Sequence, residues 1–351
     1  MSTVARFFVG VDLHKTVIQI CVVADDGRMV CEKRFLVYTL ADRGPLFSFL
    51  EPYRSCGRLA VEALGLNRWF VNELLERGFD VVVCDPQKLN LKMLGRKTDR
   101  RDAQEIARRL QLGDIDRNCL TYYADDETYG RRKVLRTRHA QMEIRQQVLN
   151  QIRALLNAYK ISGFKGDLTS KRMIAQLSGL ELATDELTTV LRSWVSLLIS
   201  LGESISLLDG QLKEMDRGGL VEDLPLHLES VGPITAAVLV HELGDVKRFT
   251  GSKAVAAYAG LVPRVNQSAD TAHHGRLTKR GNRELRHVLG EWAVRLLTWN
   301  EQVKEWARPR LQRSHKNKVR MALARRLLIG VYKMLLTGEA FSMERCLGQA
   351  K

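Results

Sequence analysis

No two of the six cysteines, at positions 21, 31, 56, 84, 119 and 346, stand in a CxxC pair. Their scatter argues against a zinc site and against a disulfide framework, and it suits a reducing cytoplasm. The chain is also short of long apolar runs. Residues 1–8 hold no stretch fit for a signal peptide, and no later window approaches a membrane span, so a cytosolic protein is expected. Acids are the minority charge, 40 Asp and Glu against 55 Lys and Arg, which leaves a formal +15. That excess suits a polyanionic partner, because each phosphate contact releases condensed counterions. A hydrophobic share of 45% excludes general disorder. The 351 residues are enough for two domains, or for one domain with a substantial extension.

The first third reads as a sheet. Residues 7–13 (FFVGVDL) and 17–24 (VIQICVVA) form two apolar strands, and Asp25-Asp26-Gly27 is a hairpin turn signal before a third strand at 28–37. A helix is expected near 42–51, a strand at 58–63, a helix over 67–77 that stops at Gly78, and a buried strand at 79–85 closed by Pro86. Three antiparallel strands followed by alternating helices and strands is the layout of a ribonuclease-H-like α/β fold.

Four acids sharpen this reading. Asp12 ends the first strand and Glu62 the fourth, so both can project from neighbouring carboxyl ends of one sheet. Asp99 and Asp102 open a helix three residues apart, on one face. Four converging carboxylates would repel one another unless cations sat among them, and oxygen-rich sites of this kind favour Mg²⁺. Two such ions can clamp both oxygens of a phosphoryl displacement. His14 and Lys15 follow the first acid; a phosphate contact, a supporting role behind the metal ligands and a solvated turn are all compatible with them, and neither is assigned to the site.

From Arg131 the pattern turns helical, with Leu135, Met142, Leu149 and Leu156 at seven-residue intervals. A second helix carries Leu187, Leu191, Trp194, Leu198, Leu201, Ile205, Leu208, Leu212 and Met215 in alternating steps of four and three, an a/d seam. The seam predicts a coiled coil or a long antiparallel pair, and a partner helix from another subunit is favoured over one in the same chain. Further on, LESVGPITAAVL reads as a helix-hairpin-helix turned at Gly232-Pro233, a shape that offers backbone N–H groups to phosphates. Residues 263–270 read as a polar loop. The block Gly275–Arg286 then gathers Arg276, Lys279, Arg280, Arg283 and Arg286 like a phosphate-gripping loop. Residues 301–326 hold nine Lys and Arg against two Glu, a candidate nucleic-acid backbone surface. The expected divisions are 1–125, 126–218 and 219–351: a metal-binding domain, a helical coiled-coil region and a mainly α C-terminal domain.

The pieces GVDLHK, VEA, KTDRRDA, LESVGPITAAVLVHELGD, AYAGLVPR, QSAD and GRLTKRGNRELR occur in that order over nearly the whole chain. They resemble the insertion-sequence family one-ten transposases, the group that includes the Piv pilin-gene invertases. The resemblance implies a RuvC-like domain whose Asp-Glu-Asp-Asp set is Asp12, Glu62, Asp99 and Asp102, and a C-terminal transposase domain whose nucleophilic serine is Ser268. It further implies a structured bridge RNA that pairs with donor and target DNA, a phosphoserine intermediate, and a homo-oligomer, a dimer of dimers in which the acids of one subunit work with the serine of another. Arg264 and the basic block of 276–286 are the expected nucleic-acid contacts. One departure stands out: the family usually has glycine after the serine, and this chain has Ala269, which tolerates positive φ poorly. From the residues alone two other readings stay open. One is a structure-specific nuclease that directs water with the four acids. The other is a nucleic-acid-binding protein on a degenerate nuclease scaffold.

Overall fold

The computed structural model describes the chain apart from residues 1–5, 64, 66, 90–97, 116–118, 165, 216–218, 220–223, 225–227, 269–270, 278–280 and 349–351. It divides into two compact units, Met1–Ala124 and Asp125–Lys351.

In the first unit β1 (Phe7–Leu13), β2 (Val17–Ala24) and β3 (Met29–Leu36) form an antiparallel meander. α1 (Arg43–Leu50), β4 (Gly57–Glu62), α2 (Arg68–Glu76), β5 (Asp80–Cys84), the short α3 (Pro86–Leu89) and α4 (Asp99–Leu112) follow. The five strands lie in the order β3-β2-β1-β4-β5, with β4 parallel to both β1 and β5. This is the order expected of a ribonuclease-H-like sheet. β1, buried at every position but its first, sits at its centre. β3, at an edge, carries Glu32, Lys33 and Arg34, charges that discourage further pairing.

Side chains alternate across a strand, so parity assigns the two faces. Val9, Val11, Leu13, Leu59 and Val61 pack with Leu46, Phe47 and Leu50 of α1 and Phe70 and Leu74 of α2. Phe8 and Ala60 point the other way, with Ile106 and Leu110 of α4, while Ala103 and Ala107 pack on Cys21 and Val23. Gly10, Asp12 and Glu62 share the parity of this second face. A Cβ on Gly10 would stand 2.2 Å from the Ala103 carbonyl oxygen and 2.4 Å from the Ala107 backbone nitrogen. Only glycine lets α4 approach the central strand this closely. Gly10→Ala is therefore expected to lift α4 and cost about 3 kcal/mol, the upper end for overpacking, because neither obstacle is a side chain that can swing aside. Urea denaturation of the full chain measures this, and an unchanged midpoint would show that α4 yields without cost.

In the second unit α5 (Asp126–Ala158) and α7 (Asp185–Met215) run antiparallel, with α6 (Lys171–Ser178) between them in sequence. Arg138 pairs with Asp209 and Gln141 with Ser204, while Ile152 and Leu156 meet Leu191 and Val195. The a/d seam of α7 is thus filled within the chain: Leu191, Leu198, Leu201, Ile205 and Leu212 are buried. This corrects the preference for an intersubunit partner. Heptad spacing defines an apolar face, and the nearest complementary face belongs to α5. By length and composition α7 is apolar enough to cross a membrane, against the expectation that no window would be. Its buried positions face α5 and α6.

The remaining elements are α8 (Pro233–Leu243), α9 (Ser252–Tyr258), β6 (Pro263–Ser268), β7 (Thr271–Leu277), α10 (Arg283–Trp299), α11 (Glu301–Leu311), α12 (Lys316–Thr337) and α13 (Met343–Leu347). The helices close around a core that includes Leu239, Leu289, Trp292, Leu323 and Leu327. Trp292 is fully buried, and its indole N–H donates to the Glu229 carbonyl at 2.8 Å. α8 begins at Gly232-Pro233 as expected, but the preceding helix of the anticipated helix-hairpin-helix falls largely outside the described residues. Where a polar loop was expected, β6 and β7 form an antiparallel ribbon, and residues 275–277 of the supposed phosphate-gripping loop belong to it.

Candidate active site

The acid cluster is assembled by two strand ends and one helix start. Asp12 and Glu62 lie one step beyond the Val11–Val61 pair of the parallel β1 and β4, on the face that α4 covers. α4 starts at Thr98, whose side chain accepts from the Arg101 N–H, which puts Asp99 and Asp102 in the first turn. Two fastenings fix the axis of α4. Arg100 donates to Glu32 on β3 at 2.7 Å, joined by Gln104, and Gln111 reaches the Asp25 carbonyl at 2.9 Å. Asp12, Glu62 and Asp102 are buried, while Asp99 stays half exposed at the rim.

Burial pushes the Asp12 carboxyl up to about 6. The nearby His14 opposes this, and the negative charges of Asp99, Glu62 and Asp102 add to it. The charges of the other three acids are thus felt at Asp12, but only Asp12, His14 and Asp99 bring ligand atoms within 4.8 Å of one another; Glu62 and Asp102 stand outside that group. His14 belongs there too: its Nε2 lies 3.2 Å from Asp12 Oδ2 and 3.2 Å from Asp99 Oδ1. The ring nitrogen is close enough to attract Asp12 but is not aligned to donate, so Asp12 Oδ2 is a buried carboxylate oxygen without a hydrogen bond. Such an oxygen is costly to leave unmatched, and a cation would satisfy it. Hard oxygen donors of this number suit a divalent ion.

Residues 9–161 match a family model for the DEDD transposase of the IS110 type, and residues 226–308 match the model described as the transposase IS116/IS110/IS902 family. The chain belongs to this IS110-type transposase family. It is 27% identical over 325 residues to a probable family 20 transposase of Pseudomonas aeruginosa, covering 90% of this chain and 93% of that one. It is 26% identical over 346 residues to the transposase for insertion sequence element IS1111A of Coxiella burnetii, covering 95% and 90%. Against the transposase for insertion sequence element IS1328 of Yersinia enterocolitica it is 27% identical over 345 residues, covering 95% and 98%. The acid cluster lies within the part that matches the DEDD model.

The serine expected as nucleophile from the sequence, Ser268, lies in the second unit. Ser268 is the last residue of β6 and pairs with Thr271 of β7, so it stands where the ribbon turns. Ala269, Lys279 and Arg280 lie outside the described residues. Arg264 sits at the register shift of β6, and Arg276 near the far end of β7. Arg283 opens α10, largely exposed and paired with Glu143. Arg286 turns inward and donates to the carbonyls of Ala259, Gly281 and Asn282.

A buried acid that the sequence reading passed over anchors the start of α10. Glu242 of α8 is fully buried and takes both arms of the Arg136 guanidinium at 2.7 Å. Arg132 donates to the His241 carbonyl, and Asn282 reaches Glu242 Oε2 at 2.6 Å while its own Oδ1 caps α10. Gly281 holds φ +119, and a Cβ there would stand 2.4 Å from the Tyr258 carbonyl oxygen. The chain entering α10 is thus pinned at two successive residues, Gly281 and Asn282. A carboxylate in the apolar run AAVLVHELG was the available signal, since buried charges have partners. For His14 the signal was its place two residues beyond Asp12.

Proposed function

We propose that this transposase cuts and exchanges DNA strands through a phosphoserine at Ser268, guided by a structured bridge RNA and assisted by Mg²⁺ held at Asp12, Glu62, Asp99 and Asp102. The observation that carries the metal part is the buried Asp12 Oδ2, which accepts no hydrogen bond and lies with Asp99 and His14 in one group of possible ligands, under the charge of Glu62 and Asp102. Bound Mg²⁺ would supply positive charge against the developing charge of a phosphoryl displacement. Asp12 and Glu62 would be held by the sheet and Asp99 and Asp102 by the helix, so little rearrangement is needed as charge develops.

In the covalent step the Ser268 Oγ–phosphorus bond forms while the bond from phosphorus to the leaving sugar oxygen breaks. The serine proton is lost and the leaving oxygen gains one. A phosphodiester is exchanged for a phosphoserine ester, and reversal on another strand end completes the transfer. The position of Ser268 at the end of a narrow ribbon supports this reading, because a duplex must reach the hydroxyl. Arg264, Arg276, Lys279, Arg280 and Arg283 are proposed as contacts to the phosphates, which position without reading sequence. Arg286, predicted with them, is better read as a clamp on the ribbon's exit. In this reading the acids of one subunit work with the serine of another, in a dimer of dimers.

The test is to incubate the full chain with the element's end DNA, its flanking RNA and Mg²⁺, quench in detergent, and map the digested protein by mass spectrometry. A nucleotide-bearing peptide that contains Ser268 is expected. Cut DNA with free ends and no adduct would instead identify a hydrolytic nuclease.

A further inference from the structure

We propose that His14 is a ligand of the same cation, which makes the site a mixed nitrogen and oxygen centre that favours Mn²⁺ and similar transition ions over Mg²⁺. The inference rests on the reading of the acid cluster as a metal site.

His14 Nε2 is 3.2 Å from a carboxylate oxygen on each side, one from Asp12 and one from Asp99. The three atoms all lie within 4.8 Å of one another. Ligands held about 2.1 Å from an octahedral ion stand about 3 Å apart along each edge. The two short separations therefore match neighbouring positions on one ion. Hydrogen bonding does not account for them, because Asp12 Oδ2 receives no donor although it is buried. The backbone that carries the imidazole is fixed: the main-chain N–H of His14 donates to the Val17 carbonyl at 2.8 Å, closing the β1–β2 turn. The turn thus presents the ring to the cluster before any ion arrives.

The chemical consequence follows from donor type. Carboxylates and water suit Mg²⁺ and Mn²⁺ alike, whereas an imidazole suits transition ions, whose affinities for nitrogen-bearing sites rise along the first row. His14 would thus separate two ions that the acids alone treat similarly.

The experiment uses metal-free full-length protein titrated with Mn²⁺ and read by electron paramagnetic resonance, with the pulsed spectrum scanned for ¹⁴N coupling. Wild type should bind Mn²⁺ and show the coupling. His14→Ala should lose it and bind Mn²⁺ about 10-fold more weakly, with Mg²⁺ affinity changed about 2-fold or less, as for loss of one donor of several. His14 is largely exposed, and an unchanged melting temperature in EDTA confirms that the variant folds. Bound Mn²⁺ without nitrogen coupling, at equal affinity in His14→Ala, would overturn the ligand assignment and leave the acid site standing. Equal Mn²⁺ binding by wild type and Asp12→Asn, or none by either, would overturn the acid site and the ligand together.

Discussion

An Asp12→Asn chain is expected to be more stable than the natural one in EDTA at pH 7.5, and to cleave DNA about 1000-fold more slowly with metal present. Both effects come from one carboxylate. Burial and three neighbouring acids raise the Asp12 pKa from its ordinary 3.8 to about 6. A group whose folded pKa is raised binds its proton more tightly in the native state. Its stabilising contribution is complete below about pH 4 and is lost as pH rises through about 6. The cost of ionising it in the folded protein is about 3 kcal/mol above that window. Urea denaturation of wild type in EDTA should therefore show stability falling between pH 4 and 7, and Mg²⁺ should restore it. The asparagine variant should lack that fall and gain nothing from Mg²⁺. The cleavage loss corresponds to several kcal/mol of transition-state charge stabilisation. A variant with the wild-type pH profile would move the origin of the repulsion to another acid.

Ser268→Ala should abolish the covalent adduct and strand exchange altogether while leaving the fold and metal binding intact. Removing a nucleophile that works with its activators as a unit costs on the order of a million-fold, below detection in a recombination assay. Residual nicking with free ends would mean that the acids can direct water once the hydroxyl is gone. Wild-type levels of exchange would end the phosphoserine reading. The two variants also test one another. If one subunit supplies the acids and another the serine, a mixture of Asp12→Asn and Ser268→Ala chains should regain adduct formation that neither shows alone.

The first unit was largely legible because its strands are buried on alternating faces and its acids fall on strand ends and helix starts. Their places at strand ends put Asp12 and Glu62 at neighbouring edges of one sheet, and a spacing of three put Asp99 and Asp102 in one helical turn. His14 was visible as a neighbour of Asp12 but could not be assigned, since the direction of a turn residue is set by the β1–β2 closure and not by periodicity. The ribbon of residues 263–277 looked like a loop because it has no alternation of apolar and polar residues: its two strands pair only with each other. The seam of α7 was plain, but spacing marks an apolar face and does not name the helix that will cover it. Glu242 escaped because its partners lie far along the chain, at Arg132, Arg136 and Asn282.

That last junction bears on how the molecule can be divided. The helical middle looks like a removable spacer, yet its first helix supplies both guanidinium groups around the buried Glu242. A C-terminal fragment begun beyond residue 160 would keep the carboxylate and lose both counterions, and removing one partner of a buried ion pair already costs about 3–5 kcal/mol. Truncation, shuffling of segments between relatives and insertion of foreign sequence are therefore constrained well outside the residues proposed for catalysis. A functional cut has to fall before Arg132, so the long hairpin travels with the serine-bearing ribbon as one heritable piece.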